Sequence, residues 1–128
     1  MMTYSTQAKH AIYQANAVDT AGPAQLVLML YDGALAAIGR AQVALAANDI
    51  AGSHDELLKS QEIVAELAAS LDVTRGGDIA TSIGSLYDFC QRGLISANLR
   101  KSDEPLPAVV EILAGLRDAW LSVIADAS

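Results

Sequence analysis

Two histidines, His10 and His54, one cysteine, Cys90, and three glutamates, Glu56, Glu62 and Glu66, carry the widest chemical repertoire in this chain. Histidine moves protons or holds a metal, a thiolate attacks, and grouped carboxylates do acid–base work or chelate. Their spacing argues against each of these. Neither histidine has a second histidine or a carboxylate at metal-ligand spacing, and the Glu-x-x-His pair of di-iron bundles is missing. The glutamates recur at helical spacing, the pattern of a solvated helix face. Cys90 falls on an apolar stripe, where a thiol packs as a small hydrophobe. No serine sits in a nucleophile elbow, and Gly76-Gly77 is too short to cradle a phosphate. The sequence therefore reads as a non-enzyme, with no cofactor and no metal.

These residues lie on helices. Alanine and leucine supply most of the apolar mass, and both favour helix. Gly22-Pro23 marks a break, and Pro23 suits the first turn of a helix running to about Ala47. Asn48-Asp49 is a tight connection with Asp49 as N-cap, which predicts a second helix from Ile50 to Leu71. Ser53 and Glu56 also match a capping box, which would start that helix at Ser53 instead. Asp72 to Gly77 is the clearest mid-chain break, because glycine takes the positive φ that ends a helix. Asp78 then caps a third helix from Ile79 to about Lys101, with Ile79, Ile83, Leu86, Cys90, Leu94 and Ala97 as its buried stripe. Pro105 and Pro107 fall in the first turn of a fourth helix, which carries Val109, Ile112, Leu113, Leu116, Trp120 and Val123, with Trp120 read as a core anchor. Short loops make sequence neighbours antiparallel, so the predicted fold is all-α, an antiparallel up-down four-helix bundle over residues 23–128. Residues 1–22 form a looser N-terminal segment. Gly33, Gly39, Gly84, Gly93 and Gly115 all lie inside predicted helices. They read either as points of close helix approach or as shallow grooves for a foreign helix.

The chain of 128 residues has 52 % hydrophobic and 18 % charged residues and a net charge of −7. It is apolar for one globular domain, and its acidic balance disfavours nucleic acid and anionic membrane surfaces as partners. The single cysteine excludes an internal disulfide. The N-terminus lacks the apolar core of a signal peptide, and the run Leu26 to Ile38 is shorter than the roughly 20 residues that span a bilayer. The expectation is a soluble, cytoplasmic, single-domain protein.

The first helix has more apolar surface than one bundle face needs. Val27, Leu30, Ala34, Ile38, Ala41 and Leu45 recur at spacings of three and four, while Leu28, Met29, Leu35, Ala36 and Val43 spread beyond that face. The excess calls for an apolar partner. Two classes fit: a client segment docked on the helix, or a second copy in a homodimeric structural or regulatory protein without a client. A third is the histidine phosphotransfer bundle, in which lysine and then glycine follow the histidine at the third and fourth positions. Here Lys59 stands five residues after His54 and serine follows it, so that motif does not match.

The run Pro23-Ala24-Gln25-Leu26-Val27-Leu28-Met29-Leu30-Tyr31-Asp32-Gly33-Ala34 resembles the start of the first long helix in the flagellin export chaperones, the FliS family. Tyr13-Gln14 resembles their N-terminal tyrosine–glutamine pair, and Leu58-Lys59-Ser60 is similar to their second helix. Leu71-Asp72, Gly76-Gly77-Asp78-Ile79-Ala80, Leu86-Tyr87-Asp88-Phe89, Arg92, Ala97-Asn98-Leu99-Arg100 and Asp118-Ala119-Trp120 continue the likeness along nearly the whole chain. Ser70, Phe89, Gly93 and the pair Pro105 and Pro107 depart from the family's usual residues.

The resemblance implies a chaperone without ATP and without catalysis. It would bind the disordered C-terminal segment of flagellin in the cytoplasm and keep that segment from polymerising before export. The export gate, an anti-sigma factor or a co-chaperone stand as open further partners. Leu26, Met29, Leu30 and Gly33 are expected on one wall of the client groove, with bundle core as the competing role of each. Tyr87, Leu94 and Asn98 are expected as further groove residues on the third helix. Asn98 either fixes register against a partner backbone, or is a helix-surface residue or a cap of the third loop. Ile12 and Tyr13 either fold over the empty groove as a displaceable cap or pack permanently on the bundle.

Overall fold

The computed structural model describes residues 22–127, which form four helices: α1 (Pro23–Ala46), α2 (Ile50–Ala69), α3 (Val73–Arg100) and α4 (Leu106–Ala127). Among the described residues there is no strand. The expected cap residues Ile12 and Tyr13 lie outside the described residues.

Contacts between neighbouring helices run in opposite directions along the chain. Gly33 faces Ile63 while Arg40 pairs with Glu56 at 3.0 Å, so α1 and α2 are antiparallel. Asn98 meets His54 and Gln91 donates to the Gln61 carbonyl, so α2 and α3 are too. Asp32 pairs with Arg117, and Trp120 reaches the Ala24 carbonyl, which sets α4 antiparallel to α1. The result is a four-helix bundle, as expected, with the helices arranged in a ring. The α1–α2 seam is the most extensive of the four and the α3–α4 seam the least.

Small residues explain the close seam. Ala34, Ala37, Ala41 and Ala44 are buried along α1 beside Leu30, Tyr31 and Ile38, so α2 can settle against the backbone of α1. The opposing α2 face is Leu57, Ile63, Val64 and Leu67, with Ser53 and Ser60 fully buried between them. Both serine hydroxyls donate back to carbonyls three residues earlier, Ile50 at 2.9 Å and Leu57 at 2.8 Å, so neither is left without a bond. This removes Ser53 from the capping role. The helix starts at Ile50, where the Asp49 carboxylate accepts from the Gly52 amide at 2.9 Å. A Cβ at Gly52 would stand 2.3 Å from that carboxylate, so glycine is what lets the cap close.

The turn before this cap is a Schellman closure. The Asp49 amide donates to the Ala44 carbonyl at 2.8 Å, the Asn48 amide donates to the Leu45 carbonyl, and Asn48 takes φ 57°. Lys101, at φ 50°, repeats the geometry after α3, where the Ser102 amide donates to the Ala97 carbonyl.

The third helix is preceded by a short helical stretch from Val73 that the sequence pattern does not predict, and Gly77, with φ 57° and ψ −133°, breaks the chain where the long helix is expected to start. The buried stripe also sits one residue further along in its first half: Ala80 and Tyr87 are buried, while Ile79 is 73 % exposed and Leu86 is exposed. Cys90, Leu94 and Ala97 are buried as predicted. The displacement leaves the large apolar side chains Ile79 and Leu86 uncovered. In α4, Val109 and Leu113 are core, Ile112, Leu116 and Trp120 pack against it, and Val123 is exposed. Of the helix glycines, Gly33 and Gly93 are close approaches, since added methyls would meet Ile63 at 3.4 Å and Val109 at 2.7 Å. Gly39 and Gly115 face open space.

The 24 residues of α1 are together long and apolar enough to cross a bilayer, further than the run Leu26 to Ile38 suggested. The core helix of a bundle passes the same test. Here α1 buries one face and carries the Asp32–Arg117 ion pair on another.

Candidate functional site

A groove of about 530 Å³ opens where the start of α1, the α2–α3 turn and the first half of α3 meet Trp120 of α4. Its walls are mostly apolar: Val27 from α1, Leu71 from the turn, Ile79 and Ile83 from α3, and the Trp120 ring. Helical spacing puts Ile79 and Ile83 on one side of α3, a turn apart. The kink at Gly77 starts the regular part of α3 here, at the groove's edge.

Tyr31 and Tyr87 also line the groove. They come from opposite corners of the bundle, and their hydroxyls meet at 2.6 Å. Both side chains are buried, and burial is the main cause that pushes each phenol above its ordinary pKa. Both therefore stay protonated across the neutral range. Cys90 lies close by, and burial pushes its thiol up to about 11. That is the opposite of what a reactive thiolate needs.

Trp120 ties the site together. Its indole N–H donates to the Ala24 carbonyl at 2.8 Å, fixing the first turn of α1 to α4. One turn earlier in α4, the Arg117 guanidinium bonds Asp32, and that bond is the leading reason it holds its proton more firmly than a free arginine. A second concavity of about 340 Å³ lies at the other end of the α3–α4 seam, walled by Phe89, Gly93 and Ala108 with Arg92 at its rim. Phe89 is 43 % exposed.

The expected groove residues are not brought together. Leu30 and Leu94 are core, and neither lines the groove. The physical reason is that both sit at the centre of the stripe their helix turns inward. Gly33 packs against Ile63 of α2, on the closed seam. Leu26 and Met29 are half-buried and do not line the groove. Tyr87 does line it, from below. Asn98 stands far away, near the end of α3, donating to His54 Nδ1 at 3.0 Å and accepting from Lys101. His54 is thereby engaged in an α2–α3 contact. Among the described residues no group of three or more His, Cys, Asp or Glu gathers as a metal site would need.

Val27, Ile79, Ile83, Trp120 and Tyr31 are the groove residues that pattern reading passed over. All but Tyr31 fall on the stripes that periodicity assigns to the core. The available signal was polar: among the described residues Tyr31, Tyr87 and Trp120 are the large aromatic side chains that combine apolar area with a hydrogen-bonding end, the type that gathers at interfaces.

The family model described as Flagellar protein FliS matches residues 5–127. The flagellar secretion chaperone FliS of Salmonella typhimurium is 38 % identical over 114 residues, covering 88 % of this chain and 84 % of its own. The flagellar secretion chaperone FliS of Bacillus subtilis is 36 % identical over 118 residues, covering 92 % and 87 %. That of Campylobacter jejuni is 32 % identical over 111 residues, covering 87 % of each chain.

Proposed function

The chain belongs to the FliS family of flagellar secretion chaperones, and from that premise we propose that its groove holds the disordered C-terminal segment of flagellin in the cytoplasm before export. The supporting observation is the apolar groove beside Trp120, with Ile79 73 % exposed on its rim. A disordered segment loses conformational entropy when it binds. Apolar burial, at about 25 cal/mol per Å², is the term that offsets the loss. A groove walled by Val27, Ile79, Ile83 and Trp120 offers such area without ATP or a catalytic group. Docking as an amphipathic helix, with anchors one turn apart, matches the turn-by-turn spacing of Ile79 and Ile83. The negative surface keeps the empty chaperone soluble.

The reading extends to residues 1–22, where Ile12 and Tyr13 supply a competing apolar occupant. Such a cap lowers apparent client affinity by the free energy of closing it. Removing residues 1–16 then tightens client binding or promotes self-association, and unchanged affinity with unchanged sedimentation rejects the cap.

Calorimetric titration with the C-terminal segment of flagellin from the same organism tests the main reading. A one-to-one complex with a negative heat-capacity change, weakened by Ile83→Asp in protein that still folds, supports it. No heat and no mobility shift with folded, monodisperse chaperone overturns it.

A further inference from the structure

We infer that the Tyr31–Tyr87 pair is a polar anchor within the apolar groove, donating its spare hydroxyl proton to a carbonyl-type oxygen of the bound segment. The inference rests on the client reading of the groove given above and adds to it the chemistry that fixes the segment's register.

The argument is a count of protons. Each phenol brings one O–H donor and lone pairs that accept. The bond at 2.6 Å uses one proton, whichever ring donates. The accepting ring keeps the other, and among the described residues no acceptor takes it. Water reaches the pair poorly, since Tyr31 and Tyr87 are 4 % and 3 % exposed. Ser70 and Asp72 bring oxygen atoms to the same groove, but among the described residues the hydrogen bond recorded for each phenol is the one to the other. Val27 and Ile83 are hydrocarbon, and the Trp120 indole is a donor already spent on the Ala24 carbonyl. Both tyrosines line the groove, so the groove is where an acceptor can arrive. Burial keeps both phenols protonated, so the pair remains a donor at neutral pH. A polar group in a dry site is worth more to a partner that satisfies it, and it penalises one that cannot. A backbone carbonyl at the end of a docked helix, or a side-chain amide or carboxylate, meets the requirement. A wholly apolar stretch does not.

The test is calorimetry with the flagellin C-terminal segment on four forms of the full chain: the parent, Tyr31→Phe, Tyr87→Phe and the double variant. Either single variant leaves one hydroxyl at the same place, still able to donate, so each binds within about threefold of the parent. The double variant has no donor and binds at least about tenfold more weakly, the loss of one hydrogen bond to a buried donor. Thermal unfolding of the free chains ranks the other way. The singles leave a buried hydroxyl without its partner and melt lowest, while the double, apolar on both sides, melts near the parent. A pair that serves structure alone moves melting and leaves affinity unchanged. Parent-like affinity in the double variant overturns the anchor and leaves the groove reading intact, whereas a parent chain that fails to bind overturns both. Should the double phenylalanine variant not fold, Tyr31→Phe with Tyr87→Met removes both donors and lets a flexible side chain fill the space.

Discussion

Two of the four seams of this bundle are built on opposite plans. Between α1 and α2, alanines at 34, 37, 41 and 44 let the helices close, a Schellman turn joins them, and the Asp49 cap seals the second. Between α3 and α4 the large residues Ile79, Leu86, Phe89 and Trp120 remain partly uncovered, and concavities open at both ends. Closing the second seam as tightly as the first would bury that area within the chain and leave nothing for a client. One half of the molecule thus holds it folded, and the other leaves hydrophobic surface available at a cost in its own stability. The division explains how a small acidic domain exposes an apolar groove and still keeps a defined core.

Substitutions on the two sides are expected to separate stability from binding. The largest effect is on the closed seam. Ile38→Ala removes a fully buried side chain, and denaturant unfolding should show a loss of about 2–5 kcal/mol, while folded protein keeps its client affinity. On the open seam the pattern reverses. Ile79→Asp changes a side chain that is 73 % exposed, so stability moves by no more than about 0.5 kcal/mol. Client affinity, read by calorimetry, falls at least about tenfold, near 1.4 kcal/mol. A parent-like affinity would mean that the two seams do not divide the labour in this way. A smaller effect is expected at the α1–α2 turn, where Asp49→Ala costs about 1 kcal/mol of stability with no change in binding.

The gentlest probe is pH. Cys90, raised to about 11 by burial from an unfolded value of 9.0, is neutral in the fold over a range where the unfolded chain ionises. The unfolded state then binds fewer protons, so this contribution is fully present below pH 9 and is lost as pH rises towards 11. Tyr31 and Tyr87 are shifted in the same direction and add to the decline above pH 10. Urea midpoints between pH 8 and 11 check it, and Cys90→Ala should flatten the part that starts near pH 9.

The closed half was the legible half. Pro23 and Asn48-Asp49 are local signals with local causes, and they placed the ends of α1 and the start of α2 within a residue. The core face of α1 followed from periodicity, because its centre is buried whichever neighbour covers it. The groove was harder for a related reason. Gly33 stands on the side α2 occupies, while Tyr31 and the stripe residue Val27 stand on the side left open. Periodicity finds both flanks and cannot say which one a neighbour covers. The α3 stripe shifted likewise, because Leu86 and Tyr87 are both large and partly apolar but Tyr87 has a partner hydroxyl across the bundle. Choosing Tyr87 over Leu86 requires knowing that Tyr31 faces it.

Cys90 has one more consequence, which concerns time. It is the only sulfhydryl in the chain, fully buried, and its neighbours are the tyrosines under the groove. A modifying reagent can reach it only when α3 swings away from its neighbours, so the rate of its alkylation is a clock for that breathing. The chain thus carries, without any engineered label, a reporter of how often its loosest seam comes apart and of how far an occupant holds it shut.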